Sequence, residues 1–416
     1  MDFAHSPRTV ELLERLTAFQ EREIAPREEA YHREVLARAD PWTTVPSTIE
    51  ELKALAREQG LWNLFLPPGA MLDGEPLGAG LTNVEYAPLA ERMGRSLIAS
   101  EVCNCNAPDT GNMEVLLHFG SDAQRERWLK PLLDGSIRSA FCMTEPDVAS
   151  SDATNMQATA VLEGDEVVLN GRKWWSTGVG HPACEVLIFM GLTDPDDADR
   201  YHRHSMVLVP LPTPGVQVER MLSTMGFHDA PGGHGEVSFS DVRLPVSAIV
   251  GGPGQAFAIA QARLGPGRIH HCMRLIGLAE LALQLACVRA GERVAFGKPL
   301  ANLGGNRERI ADARIAIDQA RLRVLHAAWL IDTGSPEALG AVSQIKVAVP
   351  NMAQQVVDMA IQLHGGAGLS DDFPLGAAWT IARALRLADG PDEVHRGVVA
   401  RLELARHGIG RWASSN

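Results

Sequence analysis

The segment VLEGDEVVLNGRKWWSTG, residues 161–178, decides the fold class. Val161, Val167, Val168 and Leu169 surround Glu163-Gly164-Asp165, a turn signal between two apolar runs that reads as a hairpin. The same character extends outward from about 138 to 254. Val186–Met190 and Met206–Leu211 are short apolar runs bounded by Pro, Gly or charged clusters, and Glu236–Val242 alternates polar and apolar residues. Asp194–His204 is polar and charged and reads as an exposed loop. Within the deciding segment, adjacent Trp174 and Trp175 are expected to face opposite sides of their strand.

On both sides of this region the apolar period is helical. Ser47 with Glu50 reads as a capping box ahead of Ile49, Leu52, Leu55 and Ala56, with Gly60 ending the run. Ser121 with Gln124 repeats the pattern ahead of Trp128, Leu129 and Leu132, and Asp134-Gly135 is a stop. After 255, Ile276, Leu278, Ala279, Leu281, Ala282, Leu283 and Leu285 are apolar nearly all round, which predicts a helix buried on several sides. Ile310–Leu330 and Ala341–Leu363 are long helical segments, the latter closed by Gly365-Gly366. The order predicts an α+β chain, mostly α: a helical domain over 1–137, a β-domain over 138–254 and a helical bundle over 255–416. No G-x-G-x-x-G follows a strand, so a Rossmann fold is not expected.

Composition bounds the function. The 416 residues carry a net charge of −13 and are 45 % hydrophobic. Nucleic acid is not an expected partner, because replacing counterions around phosphates takes a basic stripe. A local basic pocket can still take a small anion. Cys103, Cys105, Cys142, Cys184, Cys272 and Cys287 form no C-x-x-C pair, and read as buried thiols in a reducing compartment. Met1–Thr17 resembles neither a signal nor a transit peptide. The uncharged stretch Leu244–Ala262 is broken by Pro245, Gly251, Gly252, Pro253 and Gly254, so membrane insertion is not expected. The expected location is cytoplasmic.

Four segments could carry chemistry. FCMTEPDVASSD (141–152) offers Thr144, Ser150 and Ser151 as donors to the edge of a heteroaromatic ring, or is an ordinary strand and turn. KWWSTG (173–178) offers a tryptophan to flank a ring ligand, or core packing. ERVAFGKPL (292–300) places Arg293 at a helix end, where a guanidinium suits a pyrophosphate or merely matches the helix dipole. QLHGGAGL (362–369) has Gly365, Gly366 and Gly368 for close backbone approach or for a helix cap, and is followed by ADGPDEVHR (388–396) with Asp389. A desolvated Asp389 would have a raised pKa and could act as a base. His270-His271 and His202/His204 lack a carboxylate or Cys at ligand spacing in their own segments, so no metal is expected.

Taken together, in this order, these segments resemble the acyl-CoA dehydrogenase family. The likeness runs from GSDAQRERWLKPLLDG (120–135) to DEVHRGVVARLEL (392–404) and includes FSDVRLP (239–245) with the following GGPGQAF. The resemblance implies an N-terminal helical domain, a middle β-domain of two sheets and a C-terminal four-helix bundle. It implies FAD extended between the middle and C-terminal domains and reaching a neighbouring subunit, hence a homodimer or homotetramer. By matching position, Phe141, Met143, Thr144 and Ser151 line the flavin side, Trp175 flanks the ring, and Thr177 lies near flavin N5. Arg293 and Phe296 correspond to residues that grip the cofactor across the interface, as do Gln362, Gly365 and Gly366. Ser176, Gly390 and Glu393 complete the implied cofactor set. Ser151, Gly267 and Arg268 fall on the substrate side.

The implied reaction is α,β-dehydrogenation of an acyl-CoA thioester to a trans-2-enoyl-CoA, as in fatty acid β-oxidation. Asp389 takes the Cα proton, a hydride leaves Cβ for the flavin, and an electron-transfer flavoprotein is the acceptor. This chain has Asp389-Gly390-Pro391 where the family often has Glu-Gly-Thr, Glu393 where Gln is common, and Ala295 for a Thr beside Phe296. One extra residue near Ser150-Ser151 leaves either serine as the ligand contact. The DGPDEVHR variant looks like the branch of family members ten and eleven, some of which act on chains substituted at C4. The competing readings are a flavin oxidase of the nitroalkane-oxidase kind on the same fold, and a catalytically silent FAD-binding member.

Overall fold

The computed structural model describes residues 4–42 and 44–409. The ends assigned above to the flanking helical domains, 1–3 and 410–416, lie outside the described residues. The longer helices are α1 (Pro7–Phe19), α2 (Ala25–Leu36), α3 (Ser47–Glu58), α4 (Asn83–Met93), α5 (Asp109–Phe119), α6 (Ala256–Glu292), α7 (Asn306–Asp332), α8 (Ala338–His364), α9 (Leu375–Ala384) and α10 (Asp392–Arg406). Two compact units result. One comprises residues 17–81 and 98–267; the other comprises 4–16, 82–97 and 268–409.

The first unit is built on strands β1 (Arg138–Cys142), β2 (Thr159–Glu163), β3 (Glu166–Thr177), β4 (Cys184–Leu192), β5 (His204–Pro210), β6 (Val216–Leu222) and β7 (His234–Pro245). Glu163 pairs with Glu166 across Gly164-Asp165, so the deciding segment is the expected hairpin. The hydrogen-bonded path runs β1-β4-β2-β3-β7-β6, with β5 on β4. Its link between β4 and β2 is the single pair Thr159↔Leu192. The strands therefore divide into two layers, β1/β4/β5 and β2/β3/β7/β6, in agreement with a middle domain of two sheets. Phe189 and Phe239 meet between them at 4.6 Å, amid buried Val167, Leu187, Val209 and Val237. His204, placed in a loop by the sequence reading, opens β5 and is buried, its Nε2 donating to Met156 O at 2.9 Å.

Charge fixes where β1 begins. Arg138 is buried and pairs with Glu101 and with Asp109 at 3.0 Å, while buried Lys53 pairs with Glu101 at 3.0 Å. Asp109 also accepts from Ser139 N at 2.7 Å. Such a set is tolerable in a core because each charge keeps partners.

In the second unit α8 packs against α7, α9 and α10, and α4 against α7. Leu275, Ile276, Leu278, Ala279, Ala282 and Leu283 of α6 are buried, as its all-round apolar pattern predicts. By length and composition alone α6 could cross a bilayer; here these side chains are in the protein core. Two glycines let backbones touch. A Cβ on Gly94 would overlap the Arg274 carbonyl, and one on Gly277 would overlap the Glu91 carbonyl.

Caps decide helix starts. Ser121 and Gln124 form the expected reciprocal box, and Thr82 with Glu85 forms another. Ser47 and Glu50 do not. Pro46 occupies the cap position, Ser47 is already helical, and Glu50 instead pairs with Lys53 at 3.0 Å. Thr82→Ala is therefore expected to lower stability by about 1 kcal/mol. Ser47→Ala should leave the denaturation midpoint unchanged. The cysteines are free of disulfides; Cys287 is exposed and the other five are buried.

Candidate functional site

In the first unit the TEP segment is laid along β3 by a buried ion pair. Lys173 is fully buried; its Nζ donates to Glu145 Oε1 at 2.7 Å and to Met143 O at 3.0 Å. Burial pushes the Lys173 ammonium below its usual range, with Glu145 opposing that shift. Glu145 also accepts from Gln157 N and Ala158 N at 2.8 and 3.0 Å. Trp174 N donates to Thr144 O at 2.9 Å. Met143 and Thr144 thus stand beside the tryptophan strand.

The tryptophans do not alternate simply. The β3/β7 register passes from Lys173↔Val237 to Ser176↔Gly235, so Trp174 and Trp175 together oppose Glu236. This is a bulge. Trp175 adopts φ 51°, and the two rings lie 6.2 Å apart at 62° rather than on opposite faces. A bulky residue with positive φ is strained, and such strain gathers at ligand sites. The Trp175 side chain is exposed, Ser176 is buried, and Thr177 is half-buried.

Thr177 Oγ1 lies 3.0 Å from His234 Nδ1. Burial pushes the His234 imidazole down to about 4, so it is neutral at pH 7. Sequence reading misses His234, which reaches Thr177 only through the pairing of β3 with β7. It also misses Arg263, whose guanidinium sits 3.9 Å over the Phe141 ring and donates to Asn112 Oδ1 at 3.1 Å. Ser150 accepts from Glu145 N at 2.9 Å within its own turn, whereas Ser151 is exposed.

In the second unit Asp389 lies between α9 and α10 with φ 55°, followed by Gly390 at φ 104°. Its carbonyl accepts from Arg268 Nε at 3.0 Å and stands 3.3 Å from His395 Nε2. His395 is buried and pushed down to about 4 by burial, then by Arg268 and Lys346. A Cβ at residue 390 would stand 2.9 Å from His395 Nε2, so glycine is required there on both counts. The carboxylate itself remains 19 % exposed, with His271 Nε2 3.4 Å from Oδ2. Burial pushes the Arg268 guanidinium down, Asp389 opposing. Gly267 is half-buried on α6, and Glu393 is exposed, 3.5 Å from Arg396.

The segment after α6 folds into a small hairpin, β8 (Val294–Ala295) with β9 (Lys298–Pro299). Phe296 and Gly297, at φ 49° and 74°, form its two-residue turn. Phe296 is 93 % exposed and Arg293 is exposed. Gln362 is exposed near the end of α8, and Gly365 at φ 65° caps that helix. Gly365 and Gly366 have nothing within 4 Å of an added Cβ, leaving their backbone approachable. Arg289 Nη2, 3.4 Å from His364 O, ties the root of the hairpin to this helix end.

Three domain families match in succession: the N-terminal, middle and C-terminal domains of acyl-CoA dehydrogenase, over residues 6–136, 140–242 and 254–404. Acyl-CoA dehydrogenase family member 10 of Mus musculus is 54 % identical over 96 % of this chain, which spans 37 % of that protein. FadE2 of Mycobacterium tuberculosis, assigned as an acyl-CoA dehydrogenase, is 51 % identical over 98 % of each chain. A solved structure of a candidate acyl-CoA dehydrogenase from Mycobacterium abscessus is 68 % identical and superposes with a TM-score of 0.93, over 97 % of this chain and 100 % of that one.

Proposed function

The chain belongs to the acyl-CoA dehydrogenase family, and on that premise we propose that it binds FAD and removes two hydrogens across Cα and Cβ of an acyl-CoA thioester. The observation that carries this reading is Asp389: a carboxylate left accessible on a backbone gripped by Arg268 and His395. The residues fit the cofactor. Trp175 is exposed on a strained bulge beside Thr177, and the backbone at Gly365 and Gly366 is open. FAD, when bound, supplies the acceptor for the hydride that leaves Cβ. Trp175 and Thr177 would hold the ring edge, together with Met143, Thr144 and Ser151. Asp389 accepts the Cα proton. Arg268 donates to the main-chain carbonyl of Asp389 and so holds the base in place.

Arg293 and Phe296 are proposed to complete the cofactor site of a second copy of the chain. An almost fully exposed Phe at a two-residue hairpin tip supports that role. An electron-transfer flavoprotein is the proposed acceptor of the reducing equivalents. The test is a panel of acyl-CoA thioesters, C4-substituted chains included, mixed anaerobically with purified enzyme. Bleaching of the flavin absorbance by at least one of them is the expected result. No bleaching by any, with FAD bound, would leave a silent FAD-binding member. Fast reoxidation in air would make it an oxidase.

Two expectations follow from the hairpin. The purified protein should be yellow, release FAD on denaturation, and sediment as a dimer or tetramer. Arg293→Ala and Phe296→Ala should lose FAD before they lose helical circular dichroism. A monomer that retains FAD and turns over would contradict the shared site.

A further inference from the structure

We infer that His271 is a positioning residue for Asp389, itself fixed in one tautomer by Arg274. The inference rests on the reading of Asp389 as the base. Three side chains are in line. Arg274 Nη2 lies 3.0 Å from His271 Nδ1, and His271 Nε2 lies 3.4 Å from Asp389 Oδ2. A guanidinium has only donors, so His271 Nδ1 accepts from it. The ring hydrogen of the neutral imidazole is then on Nε2, pointed at the carboxylate.

This order has chemical consequences. His271 is a donor to Asp389 and not a competing base, because its only lone pair on a ring nitrogen is used by Arg274. Nε2–H engages Oδ2 and so sets the plane in which the carboxyl group meets the Cα proton. A short aspartate side chain on a left-handed residue has two torsions to fix. Arg268 and His395 hold its carbonyl, which sets the backbone but not the carboxyl rotation. The ring of His271 acts on the carboxyl group itself. Both side chains keep some exposure, 18 % for His271 and 19 % for Asp389.

The test compares two amides at position 271. His271→Asn places an amide where Nδ1 was; it can accept from Arg274 but falls short of Asp389. His271→Gln reaches the Nε2 position and restores a donor to Asp389. FAD content, melting temperature and acyl-CoA affinity are measured with the limiting rate of anaerobic flavin reduction. For His271→Asn the limiting rate should fall by about 10- to 100-fold, with acyl-CoA affinity changed by less than about threefold. His271→Gln should recover most of that loss. Equal losses in both amide variants, or none in His271→Asn, would overturn the inference. Asp389→Asn is run beside them. If it reduces flavin at the wild-type rate, the base reading fails and this inference with it. If it is slow while His271→Asn is fast, the base reading stands and only the positioning role is lost.

Discussion

Asp389→Asn is expected to slow flavin reduction by on the order of 10²–10⁴-fold, the range for removing a general base. The substitution is nearly isosteric. Arg268 and His395 meet the carbonyl of residue 389, and the substitution leaves that backbone grip in place. FAD content and acyl-CoA affinity should therefore stay close to wild type. The measurement is stopped-flow bleaching at saturating acyl-CoA without oxygen. Asp389→Glu lengthens the side chain by one methylene and displaces the carboxylate from His271; a misplacement of about 1 Å costs on the order of 10²-fold. Wild-type reduction by Asp389→Asn would move the base elsewhere, with Glu393 the next candidate in the segment, because Asp392 is buried and bound to Arg386 at 3.0 Å. Glu393 is exposed and engaged with Arg396.

The second large effect is on stability. Glu145→Ala removes the partner of a fully buried lysine. Breaking a buried pair from one side costs about 3–5 kcal/mol, because the remaining charge is left without compensation. It also frees the amides of Gln157 and Ala158. Chemical denaturation should show the loss, and FAD retention should fall with it, since Lys173 and Trp174 tie the TEP segment to the bulge. Glu145→Ala with Lys173→Met should recover a good part of the stability. A single Glu145→Ala variant as stable as wild type would show that Lys173 is held by other means.

The fold is legible where one local rule acts alone. The Glu163-Gly164-Asp165 turn and the Ser121–Gln124 cap each depend on a few adjacent residues, and both are found. Ser47 misleads because the proline before it takes the cap position. The tryptophan pair misleads because strict alternation assumes equal residue counts on paired strands. Here Lys173 is drawn to Glu145 and Trp174 N to Thr144, and the strand bulges between these attachments and Ser176. The site residues come from the order of weak motifs, which names positions and not bonds. In sequence His271 has no carboxylate near it, which argues only against a metal. Its carboxylate comes from the loop before α10. His234 is invisible for the same reason: its meeting with Thr177 is a matter of strand register.

The contact of Gly94 with Arg274, and of Gly277 with Glu91, joins two main chains with no side chain between them. Side-chain packing drifts as sequences change, since core volumes can be exchanged at modest cost. A main-chain contact has no such freedom. It acts as a datum surface, in the machinist's sense, against which α6 is seated on the C-terminal end of α4. Arg274 is part of that surface, and His271 is one helical turn away from it. The reach from this datum to Asp389 is therefore less exposed to side-chain substitutions elsewhere in the core, and neither of the two glycines has an acceptable replacement.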